Sequence, residues 1–304
     1  MLPKLSWNPV FALRDPKVRR VLKQMGPAVL AVSATQISIM INSTWASFLP
    51  DGSASQLNFA DRLMEFPSAM LGVALGTVLL PSLSAAKANA DKTEYSSLLD
   101  WGLRLTCLLA LPAAVGLLTL SDALTATLFH NGKFDAHAVN ETAKAVAAYG
   151  VGLTGLILVK ILAPGFYAQQ DIRTPVKIAL IVLVITQIMN VLFVPFIHQA
   201  GLALSVGLGA CFNAALLYRG LRQRQLYTPS SGWLKFFAKL GVALLLMGGV
   251  GFGLAAQLDW IALQSNRWIR AALMGGVILT CMLVYFSSLF VMGFRLHDFR
   301  KVTR

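Results

Sequence analysis

Three ionisable residues fall close together in an otherwise apolar stretch: Asp61, Arg62 and Glu65, within Asn58-Phe-Ala-Asp-Arg-Leu-Met-Glu-Phe-Pro67. On a helix, Asp61 and Glu65 are i,i+4 and share a face, and Arg62 and Glu65 are i,i+3 and can pair. A charge at the bilayer centre costs at least ~2.5–3.5 kcal/mol, so such groups face a watered cavity or each other. Two readings follow. One is a self-neutralised cluster that reaches to the interface. The other is an anion-binding arginine in a cavity, with carboxylates that orient it. A planar guanidinium meets phosphate oxygens with two parallel hydrogen bonds, which suits a diphosphate.

Other candidates are weaker. Lys160, before Ala163-Pro-Gly165, reads as a snorkelling side chain near a span end. His130, His137, His198 and His297 lie at or outside span ends, and none has the HExxH spacing. His130 and Asp135 match the HxxxxD of acyltransferases, a five-residue spacing that arises easily by chance. Cys107, Cys211 and Cys281 sit in apolar stretches with no CxxC, so neither a disulfide framework nor a metal site is expected. There is no Gly-rich phosphate loop, and no cofactor is expected. Asn42, Ser43, Thr44, Thr186, Gln187 and Asn190 are uncharged polar groups of the kind that bond between membrane helices.

The elements that hold these residues follow from composition. Of 304 residues, 56% are hydrophobic and 13% charged, with mean hydropathy +0.66. A soluble domain carries about 25% charged residues. A water-soluble enzyme is therefore excluded, and the expected fold is an all-α polytopic membrane protein. Eight apolar segments, at 27–49, 57–82, 101–121, 143–163, 176–197, 200–218, 236–256 and 270–293, read as spanning helices. They are twice as long as barrel strands and do not alternate. Pro67, Pro112 and the glycines 248, 249, 251 and 253 interrupt three of them, as in helices that line cavities. Residues 1–26 form a basic leader, in which Asp15-Pro16 opens a short amphipathic helix expected to lie on the inner membrane face. No removable signal peptide is expected.

The net charge of +13 reflects membrane topology rather than a nucleic-acid partner. The leader carries six Lys and Arg, and the loop after the first span carries none. Lys87 and Lys92 follow span two, Lys133 alone follows span three, and Arg173 follows span four. The turn after span five has none, whereas Arg219, Arg222, Arg224 and Lys235 follow span six. Arg295, Arg300, Lys301 and Arg304 end the chain. Rich and poor loops alternate, which puts both termini in the cytoplasm. Only Arg267 and Arg270, after span seven, are discordant.

Phe59-Ala-Asp-Arg-Leu-Met-Glu-Phe-Pro67 with Leu71-Gly-Val-Ala-Leu-Gly-Thr-Val-Leu-Leu-Pro81 resembles the MurJ/MviN-type lipid II flippases. Val159-Lys-Ile-Leu-Ala-Pro-Gly-Phe-Tyr-Ala-Gln-Gln-Asp-Ile-Arg-Thr-Pro-Val176 and Trp101-Gly-Leu-Arg104 agree with it. The family belongs to the multidrug/oligosaccharidyl-lipid/polysaccharide exporter superfamily. The resemblance implies fourteen spans in the whole protein: two six-helix lobes around a cavity, and two C-terminal helices forming a groove for a lipid tail. This chain then lacks the first lobe. Residues 27–222 are the second lobe, and 223–304 are the tail-groove pair with a basic cytoplasmic tail. By the same resemblance Arg62 binds the anion, with Asp61 and Glu65 beside it and Ser55 at the outer mouth. The substrate implied is undecaprenyl-diphosphate-linked peptidoglycan precursor, moved across a bacterial inner membrane with no bond made or broken. Some relatives bind sodium through carboxylates in this lobe's first and fifth spans. Here those spans offer only Asn42 and Asn190, which counts against such a site. The alternatives are a cation or drug exporter of the same superfamily, or a membrane enzyme acting on a polyprenyl substrate. The enzyme would need a metal-binding carboxylate pair or a cavity histidine.

Overall fold

A computed structural model describes residues 15–132 and 134–294, and everything described is helix, turn or loop. In chain order the helices are α1 (Pro16–Ser47), α2 (Ser53–Ala88), α3 (Lys92–Thr119), α4 (Ser121–Phe129), α5 (Ala136–Tyr167), α6 (Arg173–Gln223), α7 (Trp233–Ala256) and α8 (Arg267–Val291). A 3-10 turn, Ala262–Ser265, precedes α8. The all-helical expectation holds, and each apolar segment lies on a helix. Residues 1–14 of the leader and the basic tail at 295–304 lie outside the described residues. Residues 16–26 belong to the same continuous helix as the first apolar segment.

Six helices, α2, α3, α5, α6, α7 and α8, are long and apolar enough to cross a membrane by length and composition. One of them is two crossings. At 51 residues α6 would extend ~76 Å, more than twice the ~30 Å hydrocarbon core. It breaks at Ile197 and His198, where His198 has φ 47°, and Pro195 precedes the break. The halves then run antiparallel. A Cβ on Gly201 would meet Phe193 and Val194, and one on Gly209 would meet Val182 and Thr186. Spans five and six are therefore a helical hairpin, joined by the turn without Lys or Arg. The sequence reading missed α4, which falls almost wholly in the loop between span three, ending at 121, and span four, starting at 143.

Capping follows the residue types. The Asp91 carboxylate accepts from the Glu94 N–H at 2.8 Å and opens α3. Asp135 does the same for α5, accepting from Ala138 at 2.8 Å. That structural role accounts for Asp135 in the HxxxxD pattern, and His130 is buried beside Arg270 rather than presented in a cavity.

Helix α5 is central and packs on α2, α3, α4 and α6. Its crossing with the second half of α6 is close because it is built of small residues. A Cβ on Gly152 would lie 2.0 Å from Gly207 Cα. In lipid, helices associate through such packing rather than through water exclusion. Leu79, Leu99, Ile161, Phe166 and Leu221 fill the core at the Lys87 end of the lobe. Ala60, Leu117, Val146, Leu153 and Leu202 fill it at the Ser55 end.

Polar contacts fix which helix ends lie together. Gln199 Nε2 donates to Gln56 Oε1 and to Glu141 Oε2, both at 2.9 Å. The start of α2, the start of α5 and the break in α6 thus share one end. At the other end Lys87 donates to the Gln169 side chain and Tyr95 to the Gly165 carbonyl. Arg224 and Thr174 also close on Asp171 there. Burial pushes the Asp171 carboxyl up. Hydrogen bonds from Thr174 and the Arg224 charge outweigh this and hold it below the usual carboxylate range.

Asp100 on α3 joins the lobe to the last two helices. Its carboxylate accepts from Tyr227 Oη at 2.7 Å, Trp233 Nε1 at 2.8 Å, the Ser230 hydroxyl at 2.5 Å and Arg104 Nε at 2.9 Å. These donors fasten the 224–232 linker and set where α7 begins. Tyr285 Oη on α8 donates to the Leu108 carbonyl of α3 at 2.6 Å, so the α7–α8 pair rests on α3. The discordant Arg270 has a structural explanation. It is 1% exposed, and its Nη2 donates to the His130 carbonyl at 3.2 Å, beyond the end of α4. It is a packed side chain and not a loop charge.

Candidate functional site

Helix α2 is two-sided. Gln56, Leu57, Ala60 and Ser68 face inward and are buried. Ser55, Asn58, Arg62 and Glu65 are exposed. They stand at i, i+3, i+7 and i+10, so they form one polar stripe. Three of the four site residues read from the sequence lie on this stripe. Asp61 lies at its border, half-buried. Asn58 belongs to the stripe as well.

Asp61 is engaged from behind. The hydroxyl of Tyr149 on α5, 3% exposed, hydrogen-bonds to its carboxylate. Glu65 lies within electrostatic reach of Asp61 on one side and Lys160 on the other. Lys160 does not extend along α5 to the interface as its position predicts. Its ammonium donates to Ser68 O at 3.0 Å and Ser68 Oγ at 2.9 Å, back toward α2. The stem crosses Gly72, where a Cβ would come within 2.3 Å of Lys160 Cδ. Gly72 thus keeps open the space that lets a lysine from α5 lie on α2.

These contacts leave Arg62 free. Among the described residues, ion pairs within 4 Å form at Arg104–Asp100, Lys144–Glu141 and Arg224–Asp171, and Arg62 is in none of them. Of the two neighbours that could neutralise it, Asp61 is hydrogen-bonded by the Tyr149 hydroxyl, and Glu65 makes no ion pair within 4 Å among the described residues. An exposed guanidinium on a polar stripe, with its donors uncommitted, can bind a phosphate oxygen pair bidentately.

Helix α1 is fastened beside this face by amides. Asn190 Nδ2 donates to Asn42 Oδ1 at 3.0 Å and to Gln187 Oε1 at 3.1 Å. The Asn190–Asn42 bond joins two helices as those types predicted, whereas Gln187 lies on α6 itself and Thr44 donates within α1 to the Met40 carbonyl at 2.9 Å. No group of three His, Cys, Asp or Glu side chains comes together to hold a metal ion among the described residues.

The class these features define is a polytopic helical membrane protein whose lobe presents a polar stripe with a free arginine. The family model described as "Lipid II flippase MurJ" matches residues 2–268. A protein of Burkholderia cenocepacia named lipid II flippase MurJ is 54% identical over 301 residues, covering 99% of this chain and 58% of its own length. A probable lipid II flippase MurJ of Vibrio cholerae is 36% identical, covering 99% of this chain and 56% of its own. The chain belongs to the MurJ lipid II flippase family, and it spans somewhat over half the length of these curated relatives. Solved structures agree on the fold. A lipid II flippase MurJ in an inward closed conformation superposes with TM-score 0.74 at 23% identity, over 94% of this chain and 56% of that one. An outward-facing multidrug MATE transporter of the MOP superfamily gives 0.59 at 14% identity, over 86% and 62%.

Proposed function

We propose that this chain is the second lobe and tail-groove pair of a flippase for undecaprenyl-diphosphate-linked peptidoglycan precursor. The observation that carries the reading is Arg62, exposed on the polar stripe of α2 and without an acidic partner within 4 Å among the described residues. In this reading Arg62 clamps the diphosphate, with Glu65 and Asp61 beside it, and Ser55 lines the mouth. Tyr149 keeps Asp61 from closing on Arg62. The α1–α6 lobe rocks against a first lobe, so that the cavity opens to one side of the membrane and then the other. The lipid tail stays in the bilayer along α7 and α8. The protein makes and breaks no bond. It sits in a bacterial inner membrane with both termini of the chain cytoplasmic.

The family name and the 54% identity to a flippase support the substrate. A drug exporter is less well served. A cation site wants free carboxylates, and Asp61 already accepts from Tyr149. The test is growth of cells depleted of their own flippase. A protein joining this chain to a first lobe should restore growth, and residues 1–304 alone should not. Rescue by 1–304 alone overturns the half-transporter reading.

A further inference from the structure

A second basic site lies away from the α2 stripe, where α3, the start of α7 and the end of α8 meet. A pocket of about 260 Å³ is lined there by Arg104, Lys235, Lys239, Phe236 and Phe294, with Gly232 and Gly293 at its edges. Both glycines are left-handed, at φ 95° and 82°, a conformation that side chains resist. They end their helices sharply, so that α7 begins and α8 stops on either side of the pocket.

The lining holds three cations and no carboxylate. Arg104 is set in place by Asp100, by the Ser230 hydroxyl at 2.6 Å and by the Ser231 carbonyl at 3.0 Å. It lies 5.0 Å from the centre of the Trp233 ring. Asp100 neutralises at most this one charge, because its other lone pairs are filled by Tyr227, Ser230 and Trp233. Lys239 donates one proton to the Met292 carbonyl at 2.7 Å and lies over Phe294, which leaves two protons for another acceptor. Lys235 is exposed and makes no hydrogen bond or ion pair among the described residues. Counted over the described residues, the pocket therefore keeps about two uncompensated positive charges. Apolar side chains flank it: Leu234 is 86% exposed and Val291 84%. Fixed cations beside bare hydrocarbon at the ends of two spanning helices match an amphiphile with a negative head group. A soluble anion would use the lysines and leave the hydrocarbon unmatched.

We propose that the Arg104–Lys235–Lys239 pocket binds the head group of an anionic phospholipid, whose chains run along the outer faces of α7 and α8. The volume suits a phosphate and its glycerol and excludes a whole lipid. This site uses none of the residues of the Arg62 stripe, and it shares only the surface of α7 and α8 with that reading's lipid tail.

The probe is phosphatidylglycerol against phosphatidylcholine, added to the purified protein in detergent and counted as bound lipid by native mass spectrometry. Phosphatidylglycerol should be retained about tenfold more strongly than phosphatidylcholine. Lys235→Gln with Lys239→Gln should weaken it about thirtyfold, equivalent to about 2 kcal/mol, since each cation near an anionic head group contributes about equally. Arg219→Gln with Arg222→Gln removes the same charge from exposed positions on α6 and should change retention less than about twofold. If the double lysine variant does not fold, Lys235→Gln alone reads the same site and should weaken binding about fivefold. Equal retention of the two lipids, an equal loss in the α6 control, or displacement of the lipid by excess inorganic phosphate would each overturn the proposal.

Discussion

The Tyr149 hydroxyl on α5 is hydrogen-bonded to the Asp61 carboxylate on α2, and the next residue, Arg62, has no acidic partner within 4 Å among the described residues. The two facts are linked. The phenol occupies one acceptor site of the carboxylate, and the guanidinium beside it makes no ion pair with that carboxylate within 4 Å. Removing the phenol should release Asp61 to compete for Arg62. Tyr149→Phe is therefore expected to lower transport per folded molecule about fivefold, the value of roughly 1 kcal/mol for one hydrogen bond. Asp61→Asn in the same protein should restore most of it, because the competing charge is gone. Full transport by Tyr149→Phe alone would contradict the link.

The α5–α6 crossing gives a packing prediction. Gly152→Ala puts a methyl 2.0 Å from the Gly207 backbone, which has no flexible side chain to move aside. Helix separation at this contact should cost more than about 3 kcal/mol, and the protein should melt lower or fail to accumulate. Gly276→Ala on α8 meets nothing within 4 Å and removes a helix-interior glycine. It should be neutral or slightly stabilising. Thermal melting in detergent separates the two, and equal melting temperatures would mean that the crossing is looser than described.

Asp100 was not legible as a functional or structural residue in the sequence. It is one acid just before an apolar segment, and three of its donors, Tyr227, Ser230 and Trp233, are 127 to 133 residues away in the chain. The same holds for Lys160. Its partner Ser68 is 92 residues distant, so an intrahelical reading could only send the side chain to the interface. What the sequence does carry is local. Apolar runs mark the spans, charge-poor turns mark one set of loops, and the spacing of Ser55, Asn58, Arg62 and Glu65 marks one face of α2. Helix α4 was hidden because nine residues are too short for a span, so an apolar run of that length reads as part of the loop after span three. Arg270 misled the charge count because counting treats every arginine as solvated, and this one is 1% exposed.

The Asp100 network makes its own forecast. Asp100→Asn keeps one acceptor for Tyr227 and Trp233 but loses the charge-assisted bond from Arg104, a cost of about 1.5–3 kcal/mol. The linker at 224–232 should then become sensitive to limited proteolysis while the lobe stays intact. Unchanged cleavage would show that Tyr285 and the apolar contacts on α3 suffice to hold α7 and α8.

Topology can be read with thiol labelling. The Gln56–Gln199 bond puts the start of α2 and the break in α6 at one end, with Lys87 at the other. Cysteines at Asp51 and His198, both exposed, should react with an impermeant reagent from outside the cell. One at Lys87 should not. Labelling in the opposite sense would invert the orientation argued from Lys and Arg counts.

The most direct test is transport per folded molecule in a protein joining this chain to a first lobe, with Arg62 changed. Arg62→Ala should abolish flipping and Arg62→Lys should impair it, because an ammonium cannot make the two-pronged contact. Both should reach the membrane at near-normal level, since the side chain is exposed and holds no ion pair within the lobe. The lost contact is worth about 1.5–3 kcal/mol, roughly ten- to a hundredfold in binding. If Arg62 instead serves to neutralise Asp61 and Glu65, Arg62→Ala should lower abundance, and adding Glu65→Gln should recover both abundance and transport. The account predicts that the Arg62→Ala, Glu65→Gln double variant is present in the membrane and inactive. Full flipping by that variant would contradict it.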